Sequence, residues 1–113
     1  AIDRVVALRE RYWAEVKLPG RADELNQSLE RAGRVADFFE LAELMCRDAL
    51  ARDESCGAHF REEHQTEDGE ARRDDGRFSH VSVWEYANDL SAARMHREPL
   101  DFDYVAPTQR SYR

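Results

Sequence analysis

Cysteine is scarce, with two in 113 residues. That excludes a disulfide framework and suits a reducing cytosol or a cytosolic membrane face. Basic charge is outnumbered, 17 Lys and Arg against 24 Asp and Glu, a net charge of −7. Nucleic-acid or membrane-surface binding driven by positive charge is therefore disfavoured. No apolar run approaches the ~20 residues that a bilayer span needs. A secretory leader pattern, internal repeats and low-complexity segments are all absent. So are the GxGxxG, P-loop and GxSxG patterns, which leaves no known motif for a dinucleotide or an activated serine. The length of 113 residues allows at most one domain with a modest core.

What is present is helical pattern. Ile2, Val5, Val6, Tyr12, Trp13 and Val16 recur at spacings of three and four, opposite Arg4, Arg9, Glu10, Arg11 and Glu15. This predicts an amphipathic helix. Leu18-Pro19-Gly20 ends it, because proline disfavours a helical residue before it and glycine permits a reversal. A second helix is predicted from about Ala22 to Ala51, its stripe beginning at Leu25, Leu29 and Ala32. Gly33 suggests a kink or a close backbone approach, since mid-helix glycine costs about 1 kcal/mol. Beyond Gly33 the helix is apolar on almost every side. Asp37, Glu40, Glu43, Arg47 and Asp48 form only a narrow polar edge. Such a helix is a central, buried one. The two helices should pair antiparallel through a short turn, and the second then lacks at least one covering layer.

The loop after this helix, Glu54-Ser-Cys-Gly-Ala-His-Phe-Arg61, is rich in side chains that bond or bind. Gly57 allows a sharp turn beyond a helix C-terminus. Ser55, His59 and Arg61 then read as donors offered to a neighbouring surface, although Arg61 has Glu62 and Glu63 as surface partners. Cys46, Cys56, His59 and His64 are zinc-type ligands, and Cys56-x-x-His59 has a usable spacing. Against zinc, Cys46 falls in the apolar helix as a small hydrophobe, and no second tight pair exists. A Cys56 nucleophile with His59 as base is opposed by the helix C-terminus before it, whose dipole disfavours a thiolate.

Gln65–Arg77 is a turn-rich charge run and reads as a surface loop. HVSVWEY, 80–86, and LDFDYV, 100–105, alternate β-branched or aromatic residues and read as two strands of a loose hairpin. The connection 87–98 is polar, with room for a helical turn at 88–95. Pro107 ends the second strand, and Thr108–Arg113 is a polar tail. Trp84 and Tyr86 read as core or interface aromatics. The fold expected is mainly α, an antiparallel helical bundle with a β-hairpin-like tail. Residues 1–64 form the bundle portion, and 65–113 form the loop and β-containing part of the same domain.

The runs RVADFFELAELMCRDALARDESCGAHFREEHQTEDGEARRDD, HVSVWEY and PLDFDYVAPTQRSYR resemble the C-terminal helical domain of the flavoprotein subunit of succinate dehydrogenase and fumarate reductase. L-aspartate oxidases carry a similar helix and loop. The most specific part is Ala49-Leu50-Ala51-Arg52 leading into Glu54-Ser55-Cys56-Gly57-Ala58-His59. Most members have arginine where this chain has Cys56, so that arginine's contacts do not carry over. Cysteine there, with NQSLERAGRVADF before it and TQRSYR at the end, resembles the bacterial, cytochrome-b-linked branch.

The resemblance implies a spectrin-repeat-like three-helix bundle, here without its first helix. It implies a parent enzyme of the tricarboxylic acid cycle and electron transport. That enzyme interconverts succinate and fumarate on covalently held FAD and passes electrons to an iron–sulfur subunit. The chain itself would hold no cofactor, no metal and no catalytic residue. It opens at Ala1, inside a helical pattern, which suggests a piece of a longer protein. Its expected partners are the upstream FAD-binding domain, the iron–sulfur subunit and, indirectly, a membrane cytochrome b subunit. The expected place is the cytoplasmic face of a bacterial inner membrane, bound peripherally. Candidate docking residues are Ser55, Gly57, His59, Arg61, Arg110 and Tyr112. The alternative is a free-standing acidic interaction module that homodimerises through its bare helix face.

Overall fold

The computed structural model describes residues 1–109 and 111. They divide into two compact units, the second beginning at Asp48. The elements are α1 (Ile2–Glu15), α2 (Gln27–Ala51), α3 (Asp75–Phe78), β1 (His80–Glu85), a 3-10 turn (Leu90–Ala92) and β2 (Arg94–Pro99). The chain is thus mainly helical with an antiparallel hairpin near its C-terminal end, the class its pattern predicts.

In the first unit α1 stops at Glu15, where Val16 turns extended. The predicted start of α2 at Ala22 is corrected to Gln27. Asn26 sets the boundary: its Oδ1 accepts the N–H groups of Ser28 at 3.0 Å and Leu29 at 3.1 Å. Asparagine is a strong N-cap because it satisfies donors that the first turn leaves free. Its Nδ2 donates back to the carbonyls of Pro19 at 2.9 Å and Arg21 at 3.3 Å, so one side chain also ties the connecting loop. Gly20 sits at φ +89°, and a Cβ there would come within 2.6 Å of Asn26 Nδ2. Leu25 consequently lies outside the helix and is 94% exposed.

The contacts between α1 and α2 run antiparallel. The Tyr12 hydroxyl donates to the Ala32 carbonyl at 2.6 Å, and its ring lies 5.5 Å from that of Phe39. One turn back along α1, Arg9 reaches Glu43 at 2.8 Å. Glu43 is only 1% exposed, so its expected place on a polar edge is corrected. It shares a helical stripe with Ala36, Phe39 and Arg47, and that stripe faces α1. Arg47 grips its other oxygen at 2.6 Å. On the far side of α2, Phe38, Leu41 and Met45 are 60%, 53% and 63% exposed. Their spacing of three and four makes a second apolar stripe with no cover in this unit. The Cβ position of Gly33 meets nothing within 4 Å, so no close approach is found there.

In the second unit β1 and β2 pair antiparallel with His80 opposite Pro99 and Glu85 opposite Arg94. The second strand is therefore Arg94–Pro99, a correction to the expected 100–105. The connection decides this. Asp89 caps the 3-10 turn by accepting from Ser91 N–H at 2.8 Å, and Asn88 takes φ +65°, which brings the chain back at Arg94. Backbone pairing then needs no apolar alternation, and His96 adds an ion pair to Glu85 at 2.7 Å. The β1 residues His80, Ser82 and Trp84 are partly buried, while Val81, Val83 and Glu85 are exposed. Trp84 Nε1 donates to Asp48 at 2.8 Å and fixes the strand to the end of α2. Phe78, 7% exposed, is the one buried apolar side chain among the described residues. No helix among those residues is long and apolar enough to cross a membrane.

Candidate docking site

The site is the loop 52–64 with the strand-like return at 72–74. It begins where α2 runs out of backbone partners. The last carbonyls of a helix have no intrahelical donor. Here the Arg52 carbonyl accepts from His59 Nε2 at 2.9 Å and from Arg61 Nη1 at 3.4 Å. Donors at this end also suit the negative pole of the helix dipole.

Ahead of these two donors the chain makes a tight hairpin. Cys56 N–H donates to the His59 carbonyl at 2.8 Å, and His59 N–H returns the bond at 3.1 Å. Gly57 and Ala58 form the corner. Gly57 has φ +58° while Ala58 does not turn positive, the φ pattern of a type II′ turn. Glycine is needed because a side chain at that φ is strained. No atom lies within 4 Å of its Cβ position, so space is not the constraint. Ser55 closes the base of the hairpin. It is fully buried, and its hydroxyl accepts Arg61 N–H at 2.7 Å and donates to the Arg61 carbonyl at 3.1 Å.

Charged residues brace this hairpin. Glu54, 2% exposed, receives Arg52 Nη2 on Oε1 at 2.7 Å and the Asp74 backbone N–H on Oε2 at 2.7 Å. Ser55 N–H donates to the Arg72 carbonyl at 3.1 Å, which draws the return strand alongside. Asp53 is met by His64 Nε2 at 2.7 Å, Arg61 Nη1 at 3.2 Å and Arg77 Nη1 at 3.8 Å. The His64 hydrogen bond, helped by the charges of Arg61 and Arg77, holds the Asp53 carboxyl below the usual carboxylate range. Glu63 is lowered too, by its own backbone N–H and then by Arg61, whose Nη2 lies at 2.6 Å.

Every sequence-predicted residue of the loop is thus placed. Ser55, His59 and Arg61 spend their polar atoms inside the loop. Gly57, Ala58 and Phe60 form its exposed tip. Arg110 and Tyr112 lie outside the described residues. Asp53, Glu54 and His64 organise the site and were not singled out for it. Their signal was available as an Arg-Asp-Glu run directly after the helix, matched by Arg61-Glu-Glu-His64. Cys56 is a free, partly exposed thiol. His59 directs its Nε2 to a carbonyl, so the pair shows no nucleophile–base bond. No group of three His, Cys, Asp or Glu able to hold a metal occurs among the described residues.

The family model described as "Fumarate reductase flavoprotein C-term" matches residues 1–112. The chain belongs to this family. No curated protein and no solved structure matches it. Membership makes FAD the implied cofactor of the parent flavoprotein. The described residues do not fit it here. A dinucleotide fold presents a glycine-rich turn between a parallel strand and a helix N-terminus. Among the described residues this chain has one antiparallel strand pair and no such turn.

Proposed function

We propose that the chain is the structural and assembly domain of a succinate dehydrogenase or fumarate reductase flavoprotein subunit. The family match over residues 1–112 carries this reading. The parent interconverts succinate and fumarate on covalently held FAD and passes electrons to an iron–sulfur subunit. This domain takes no part in that chemistry. The tip Gly57–Phe60, with the tail residues Arg110 and Tyr112, docks on the FAD-binding part of the flavoprotein or on the iron–sulfur subunit. Its bracing supports the reading: a loop held by Ser55, His59, Arg61, Glu54 and Asp53 loses little conformational freedom on docking. The assembly sits peripherally on the cytoplasmic face of a bacterial inner membrane, through a cytochrome b subunit.

The test is co-purification of the iron–sulfur subunit with full-length flavoprotein carrying Gly57→Val or His59→Ala. Gly57→Val forces a branched side chain to φ +58° and should cut recovered complex by about tenfold, the equivalent of ~1.4 kcal/mol. Undiminished assembly in both variants contradicts the docking role.

A second reading rests on the bare stripe Phe38, Leu41 and Met45. A free-standing module would cover it with a second copy. Light scattering on the isolated chain decides, since a strict, well-folded monomer rules that cover out.

A further inference from the structure

Residues 100–105, Leu-Asp-Phe-Asp-Tyr-Val, alternate like a strand yet have no strand to pair with. Leu100 N–H donates to the Ser79 carbonyl at 3.0 Å, one step beyond the His80–Pro99 pair. After that the ladder stops. Among the described residues, the backbone of 101–107 makes no hydrogen bond. Tyr104 is 96% exposed and Val105 is 69% exposed. A bare aromatic on a segment with free backbone donors and acceptors has the composition of a peptide that adds to a sheet edge.

We propose that residues 100–105 add as a strand to an open β-sheet edge of a partner polypeptide in the assembled flavoenzyme. The inference rests on the assembly reading above and names a second contact for it. In a pleated strand Leu100, Phe102 and Tyr104 share one face, and Asp101, Asp103 and Val105 share the other. The edge that receives them is therefore apolar on one face and basic on the other. The same pattern disfavours a second copy of this segment. Antiparallel self-pairing in the register that sets Leu100 opposite Tyr104 and keeps the apolar residues on one face would set Asp101 opposite Asp103, and like charges directly opposed are destabilising. Pro107 has no N–H to donate and limits the added strand to the residues before it.

Hydrogen exchange read by mass spectrometry, on the isolated chain and on the assembled enzyme, tests this. Amides 101–106 should exchange fast in the isolated chain and at least ~100-fold slower in the enzyme. Tyr104→Pro removes one ladder donor and should cut recovered complex about tenfold, whereas Tyr104→Phe keeps the donor and the apolar face, with recovery within about twofold. Fast exchange of these amides in an intact complex overturns the strand addition and leaves the assembly reading standing. Protection that rises with the concentration of the isolated chain overturns it in favour of self-pairing. A flavoprotein that never recruits a partner overturns both.

Discussion

Glu43 is the most deeply buried charged residue among those described. It is a carboxylate at 1% exposure held between Arg9 and Arg47. A buried ion pair adds little over an apolar isostere, but breaking it leaves a charge without water. The two arginines keep 27% and 23% of their side chains in solvent, so they can turn outward while Glu43 cannot. Arg9→Met should therefore cost about 1–3 kcal/mol in urea unfolding. Arg9→Met with Glu43→Met should return to within ~1 kcal/mol of the parent. Equal losses in the single and double variants would contradict the asymmetry. Asp53 gives a second test. Its carboxyl is lowered in the fold, so its contribution is complete above the unfolded value of about 4 and is lost as pH falls through the lower folded value. Asp53→Asn should flatten that acidic limb of the stability curve. An unchanged limb would show that the His64 and Arg61 contacts do not stabilise the fold.

Among the elements, both helices were legible because their apolar periods are long and regular. Their ends were less so. Nothing in composition separates Ala22 from Gln27, and the cap chemistry of Asn26 decides the start. Asn26→Ala should cost about 1 kcal/mol, more if the Pro19 and Arg21 contacts loosen with it, as read by thermal unfolding. β1 was legible from its alternation, and β2 was not. Arg94–Pro99 has one apolar residue that is partly buried, Met95, because its strand faces water on nearly every position. The segment 100–105 carried the stronger strand pattern and is unpaired, so local and global preference conflict there, which fits the strand addition proposed above. Trp84 showed as an interface aromatic, but its partner Asp48 lies 36 positions away and no local pattern links them. Trp84→Phe should cost about 1 kcal/mol by losing that bond while keeping the ring.

For the whole molecule, family membership was legible through the resemblance, and the family match over residues 1–112 bears it out. Spacing alone offered zinc ligands, a thiol nucleophile and docking donors side by side. The structure shows the donors turned inward as supports, with the carboxylates Asp53 and Glu54 as their counterparts. The loop spends its polar groups bracing one exposed tip, and the stripe Phe38, Leu41 and Met45 stays bare; both fit the assembly role proposed above. The most direct measurement co-expresses this chain, as a separate polypeptide, with the FAD-bearing remainder of its flavoprotein and pulls down one of the two. The account predicts recovery of both in a 1:1 ratio, with flavin present in the captured material. Recovery of either piece alone, each folded, would contradict it.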